Sequence, residues 1–233
     1  MARTDLTVRY PAARPEPSGP ELIAHPVATG SGTVSPMGRA EDREAPLVLI
    51  RHAVMASAPR LGGVRLVCVD GPAGSGKTTT AARVVSDLGR AGLTVEVVHL
   101  DDLYDGWSGL DGTLWPRLSA QVLEPLRRGV PGRFQRYDWS MAAFADWIDV
   151  PVPDVLVVEG CGSARRAARR AAVLSVWIEA PPELRLARGL ARDGEAMRSQ
   201  WIAWTASETA HFAREATREH ADIRLDAYGR MAS

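Results

Sequence analysis

From residue 64 onward, short apolar runs rich in β-branched residues alternate with stretches of helical period. The runs predict strands at Val64–Asp70, Thr94–Leu100, Asp154–Val158, Ala172–Ile178 and Ala221–Leu225. Between them the spacing predicts helices over Lys77–Gly89, Thr113–Arg128, Ser163–Ala171, Pro182–Arg192 and Met197–His220. Near-continuous apolar strands separated by helices are the mark of a parallel sheet covered on both faces, so a three-layer α/β domain with a five-stranded parallel sheet is expected. Residues 46–60 predict a short helix on its edge. Residues 1–45, with Pro11, Pro15, Pro17, Pro20, Pro26 and Pro36 among Gly, Ser and Thr, follow neither period. They read as a disordered Pro/Gly-rich leader, with the boundary near Ala45 and the domain over 46–233.

Composition narrows the function. The 233 residues are 45% hydrophobic, enough to fill a core. Lys plus Arg and Asp plus Glu each number 28, so no global field attracts nucleic acid or an anionic membrane. No apolar run approaches the roughly 20 residues of a membrane span, and Met1–Pro20 has no signal-peptide core. Cys68 and Cys161 have no metal-ligand spacing, which suits a reducing cytoplasm. Of the basic residues 27 are Arg and one is Lys. A Lys kept where Arg is used everywhere else marks a site that needs a compact ammonium.

That residue, Lys77, completes Gly71-Pro72-Ala73-Gly74-Ser75-Gly76-Lys77-Thr78, a full G-x-x-x-x-G-K-[ST] phosphate loop between a predicted strand and a predicted helix. Its glycines let successive N–H groups curl toward phosphate, and the helix N-terminus adds its dipole. The amides of Gly71, Ala73, Gly74, Ser75 and Gly76, with Lys77, Thr78 and Thr79, form the candidate nucleotide site. Lys77 would bridge the β- and γ-phosphates, and Thr78 would hold Mg²⁺. A chain without Asn and with one Lys cannot carry the N-K-x-D guanine motif, so a Ras-like switch is excluded, while the loop itself fits ATP or GTP.

Asp101 and Asp102 stand at the tip of the second strand, where open parallel sheets bind ligands. Asp101 there could take the proton of an attacking hydroxyl or hold Mg²⁺ through water. Asp101-Asp102-Leu103-Tyr104 matches D-x-x-Y, and here the sequence resembles the uridine kinase-like family of P-loop kinases, relatives of phosphoribulokinase and pantothenate kinase. The resemblance spans about residues 64–226. It implies a P-loop NTPase fold with a helical lid. By the same resemblance Asp101 and Tyr104 face the acceptor, Asp111 contacts ribose hydroxyls, Tyr137 of Arg136-Tyr137-Asp138 lines the acceptor pocket, and Glu159 joins the magnesium shell. Arg185, Arg188 and Arg192 are similar to the family's lid arginines that clamp the transferring phosphates, and their i, i+3, i+7 spacing puts them on one helix face. Ala142 stands where nucleoside kinases of the family carry His, which weakens the match to uridine or cytidine.

The expected protein is an ATP- and Mg²⁺-dependent kinase that phosphorylates a hydroxyl of a nucleoside-like acceptor. Two other readings fit the same residues. One is a nucleoside monophosphate or other metabolite kinase, with Arg133 and Arg136 on a phosphorylated acceptor. The other is a nucleotide-dependent regulatory ATPase. Expected partners are the small-molecule acceptor and at most further copies of the chain. Arg165, Arg166, Arg169 and Arg170 read mainly as a solvated face, with a phosphorylated or acidic ligand as the alternative. Trp107, Trp139 and Trp147 flank the acceptor segments but read first as packing residues. Cys161 likewise reads as packing, and His99 as a buried neutral residue without a role.

Overall fold

The computed structural model describes residues 36–232. The expected leader lies outside the described residues as far as position 35. From Pro36 the chain is helical, α1 (Pro36–Ala56), so helix begins ahead of the expected boundary at Ala45 and runs through Pro46. Ile50 and Val54 of α1 are fully buried on the sheet, and Arg51 donates to Asp87 at 2.9 Å.

Strands β1 (Arg65–Asp70), β2 (Val95–His99), β5 (Val155–Glu159), β6 (Ala172–Ile178) and β7 (Ile223–Leu225) form a parallel five-stranded sheet in the order β2-β5-β1-β6-β7. All five expected strands are present. Alternation along the central strands sends side chains to two cores. Val67, Val69, Val155 and Val157 pack with α1 and α2 (Lys77–Arg90), while Leu66, Cys68, Leu156 and Val158 pack with residues 103–126 and Trp204. The sheet is therefore buried on both faces, which is why its strands read as apolar runs.

Three segments depart from expectation. β3 (Gly132–Asp138) and β4 (Ala143–Val150) form an antiparallel hairpin, a separate two-stranded sheet that the hydrophobic pattern did not predict. The helix expected over Thr113–Arg128 is α3 (Leu114–Leu118), a π turn (Ser119–Leu123) and α4 (Glu124–Arg127). Pro125 has no N–H with which to close an α-helical bond to Gln121, and the turn before it widens. The helix expected over Ser163–Ala171 is absent. In its place are turns such as Ala168 N–H to Arg165 O (2.8 Å), because Arg166 and Arg169 reach away to carbonyls at the end of α6 (Arg198–Glu215). α6 itself stops five residues short of His220, where Ala216 turns left-handed at φ 51°.

The expected lid helix is α5 (Pro182–Asp193). It lies directly on α6, since a Cβ at Gly189 would sit 2.3 Å from the Trp201 ring. Gly189→Ala should therefore push the two helices apart and cost about 1–3 kcal/mol, measurable as a lower denaturation midpoint. An unchanged midpoint would mean that Trp201 moves aside freely.

Candidate active site

The phosphate loop leaves β1 at its C-terminal end and enters α2 at Lys77. Gly71, Gly74 and Gly76 all adopt positive φ. At Gly71 and Gly74 there is also no space for a side chain, because a Cβ would lie 2.1 Å from Ile178 O and 2.6 Å from Arg185 O. Asp70, buried just before the loop, accepts hydrogen bonds from the N–H groups of Gly71 (2.7 Å), Gly162 (3.0 Å) and Ala164 (2.8 Å). It ties the loop to the chain leaving β5. Burial pushes its carboxyl up to about 6 against those three donors and Lys77.

Lys77 is 8% exposed, and its Nζ donates to Pro72 O at 2.9 Å and lies 3.6 Å from Cys161 Sγ. Burial draws its pKa down, but Cys161, Glu159, Asp101 and Glu208 together outweigh burial, so the ammonium stays above its ordinary value and remains charged. The Thr78 hydroxyl donates to Glu159 Oε1 at 3.1 Å, and His99 Nδ1 lies 2.6 Å from the same oxygen. That hydrogen bond raises the His99 pKa in spite of partial burial. His99, given no role from sequence, is thus the partner of Glu159. The register β2–β5, which sets His99 opposite Glu159, puts it there.

Asp101 stands at the mouth of the same cleft, accessible to solvent but ringed by protein. That enclosure, and then Glu159, hold its carboxyl above the ordinary range, with Lys77, Arg192 and His99 pulling the other way. A raised carboxyl beside a cation is a sound proton acceptor for a hydroxyl. The hairpin covers this end of the cleft, with Trp139 Nε1 donating to Asp101 O at 3.0 Å. Tyr137 packs edge-on against Trp139, and Trp107 packs between Trp139 and Trp204. Tyr137 and Trp139 therefore stand near Asp101, whereas Trp147 lies out along β4 against Arg133.

Other residues sit differently from expectation. Tyr104, expected at the acceptor, is 1% exposed and its hydroxyl donates to Cys161 O at 2.8 Å, so it braces the segment that carries Asp101. Asp111, expected on ribose hydroxyls, is held by Arg214 (2.6 Å) and His211 (3.0 Å). It lines a different cavity. Of the lid arginines, Arg188 donates to the carbonyls of Gly74, Ser75 and Ala227 and so props the loop from outside. Arg185 pairs with Glu208 at 2.6 Å. Arg192, bound to Asp193, is the one whose charge acts on Asp101 and Glu159.

Glu208 lies within the helix expected over Met197–His220 and has no role assigned from sequence. It is 1% exposed, and besides Arg185 it accepts from Ala73 N–H (2.7 Å) and Trp204 Nε1 (3.1 Å), with Cys161 Sγ at 3.5 Å. One buried carboxylate thus joins the phosphate loop, the lid helix and α6. The signal available in the sequence was a Glu on the apolar stripe of a helix, two turns from Trp201 and one from Trp204.

Among the described residues no cluster of three or more His, Cys, Asp or Glu side chains forms a ready-made metal site. No helix among them is long and apolar enough to cross a membrane. No family model matches the sequence, and no curated protein is similar to it. Solved structures are. A possible uridine kinase from Bacillus stearothermophilus superposes with a TM-score of 0.58 at 20% identity, covering 78% of this chain and 98% of the other. A candidate fructose transport system kinase from Silicibacter sp. TM1040 gives 0.53 at 23% identity, covering 77% and 98%. D-glycerate 3-kinase from Cryptococcus neoformans var. grubii gives 0.50 at 13% identity, covering 85% and 98%. At these identities the likeness is one of fold, and with its five-stranded parallel sheet and phosphate loop this chain has the three-layer P-loop NTPase fold on which those kinases superpose.

Proposed function

We propose that the protein is an ATP- and Mg²⁺-dependent small-molecule kinase that transfers the γ-phosphoryl group to a hydroxyl of a nucleoside-like or other polyol acceptor. The observation that carries this reading is the meeting of Lys77, the Thr78–Glu159 pair and Asp101 in one cleft at the C-terminal ends of β1, β2 and β5. Lys77 and the loop amides hold the phosphates. The Thr78 hydroxyl and the Glu159 carboxylate are hard oxygen donors suited to Mg²⁺, which needs only a few protein ligands beside phosphate oxygens and water. Bound there, the ion would neutralise charge on the phosphates. Asp101 takes the acceptor proton, and Arg192 faces the charge that develops as the phosphoryl moves. A phosphorylated acceptor is the poorer fit, because Arg133 and Arg136 are already paired across the hairpin with Asp149 (3.1 Å) and Asp146 (2.8 Å). A cytoplasmic setting accords with the free thiols of Cys68 and Cys161.

The test is ADP release from Mg²⁺-ATP, by coupled assay, against pooled nucleosides, nucleoside monophosphates, pantothenate and sugars. Turnover is expected with one pool, and Asp101→Asn is expected to lower it by about 10²-fold or more. Turnover indifferent to every pool and to the substitution would overturn the proposal.

A further inference from the structure

Away from the nucleotide cleft, the turns that replace the expected 163–171 helix and the end of α6 line an open surface cavity of about 890 Å³. Its walls include Arg165, Arg166, Arg170 and Arg214, the indole of Trp115, and the carboxylates of Asp111 and Glu215. Lys77, Thr78, Asp101 and Glu159 do not line it.

Four guanidinium groups face two carboxylates, and the carboxylates are committed. Asp111 serves Arg214, His211 and, at 3.6 Å, Arg165. Glu215 accepts the backbone N–H of Arg166 at 2.8 Å, with Arg214 Nε at 4.0 Å. Helix capping explains part of the remainder, since Arg166 donates to Arg214 O at 3.0 Å and Arg169 donates to Glu215 O. It does not explain Arg170, which has no hydrogen bond or ion pair among the described residues. The guanidinium groups of Arg166 and Arg170 form no ion pair within 4 Å among the described residues. The buried Nε of Arg165, a residue held against Trp115, also lacks an acceptor.

We propose that this cavity binds a small phosphorylated molecule. Arg166 and Arg170 would take its phosphate, because planar guanidinium forks match phosphate oxygens, and Trp115 would offer an apolar wall to the rest of it. The site is separate from the one proposed for the reaction and does not depend on the kinase reading.

Pyrophosphate serves as the probe. Because it would also enter the phosphate loop, titrations use a Lys77→Ala background, with sodium chloride at matched ionic strength as the control. Calorimetry is expected to show saturable binding. The further pair Arg166→Ala and Arg170→Ala should weaken it by about tenfold or more. Both positions are exposed, and a melting curve without ligand verifies that the variant is folded. No binding beyond the chloride control, or binding of equal strength in the folded arginine variant, overturns the proposal. Inorganic phosphate as a second probe separates two sources of the same chemistry. If it binds as tightly as pyrophosphate, free phosphate is a sufficient ligand; if it binds more weakly, a larger phosphorylated molecule is required.

Discussion

Glu208→Ala is expected to destabilise the fold by about 3–5 kcal/mol, because breaking one side of a buried ion pair leaves an uncompensated charge in place. The remaining charge is Arg185, whose side chain is 11% exposed. The same substitution also orphans Ala73 N–H and Trp204 Nε1, both of which donate to this carboxylate. Urea denaturation should show a lower midpoint with an unchanged slope. Glu208→Gln keeps an acceptor for Ala73 but not the charge, and should fall between the wild type and Glu208→Ala. Replacing Arg185 and Glu208 together with Leu should cost less than Glu208→Ala alone, since no buried charge is then left unpaired. If the double variant were as unstable as the sum of the two single changes, the pair would not be coupled, and the account of Glu208 as the joint between loop and lid would fail.

Lys77→Arg is expected to lose as much as Lys77→Ala, about 10²–10³-fold in kcat/KM, despite keeping the charge. Lys77 runs beneath its own loop, enclosed by Pro72 O and Cys161 Sγ. A planar guanidinium is broader than an ammonium and would have to displace the loop that it serves. The coupled assay measures turnover, and melting curves with and without Mg²⁺-ATP measure nucleotide binding independently of any acceptor. Both substitutions should abolish the nucleotide-dependent rise in Tm. Retention of that rise in Lys77→Arg would show that charge alone matters here and that the single lysine of an arginine-rich chain has no steric reason.

The strands were legible because a sheet covered on both faces leaves an unbroken apolar record, and the phosphate loop because its geometry admits so few residues. The hairpin was not, since Arg133, Gln135, Asp146 and Trp147 leave it largely uncovered and its alternation is weak. The segment after Glu159 has the composition of a helix. Its arginines gain more by reaching α6 carbonyls and Asp111 than by lying along a helix, a tertiary preference that no local pattern records. The same limit applies to the site. Asp101, Glu159 and Lys77 follow from strand ends and motif, whereas His99 and Glu208 gain their importance from partners 60 and 135 residues away.

The strand order also governs how the chain can be made. β1 lies between β5 and β6, so Arg65 pairs with Val155 and Leu66 with Ala172. As a nascent chain emerges, the strand that bears the phosphate loop has no neighbour until the whole hairpin and then β5 and β6 have followed it. Asp70 meets its distant amides at Gly162 and Ala164 just as late. Until Glu159 is available β1 is an apolar strand with two bare edges, and until Ile178 follows it keeps one, the form most prone to pair with the wrong chain. A ribosome that stalls before β5 therefore releases a product that contains the entire nucleotide motif but has no sheet to hold it in shape.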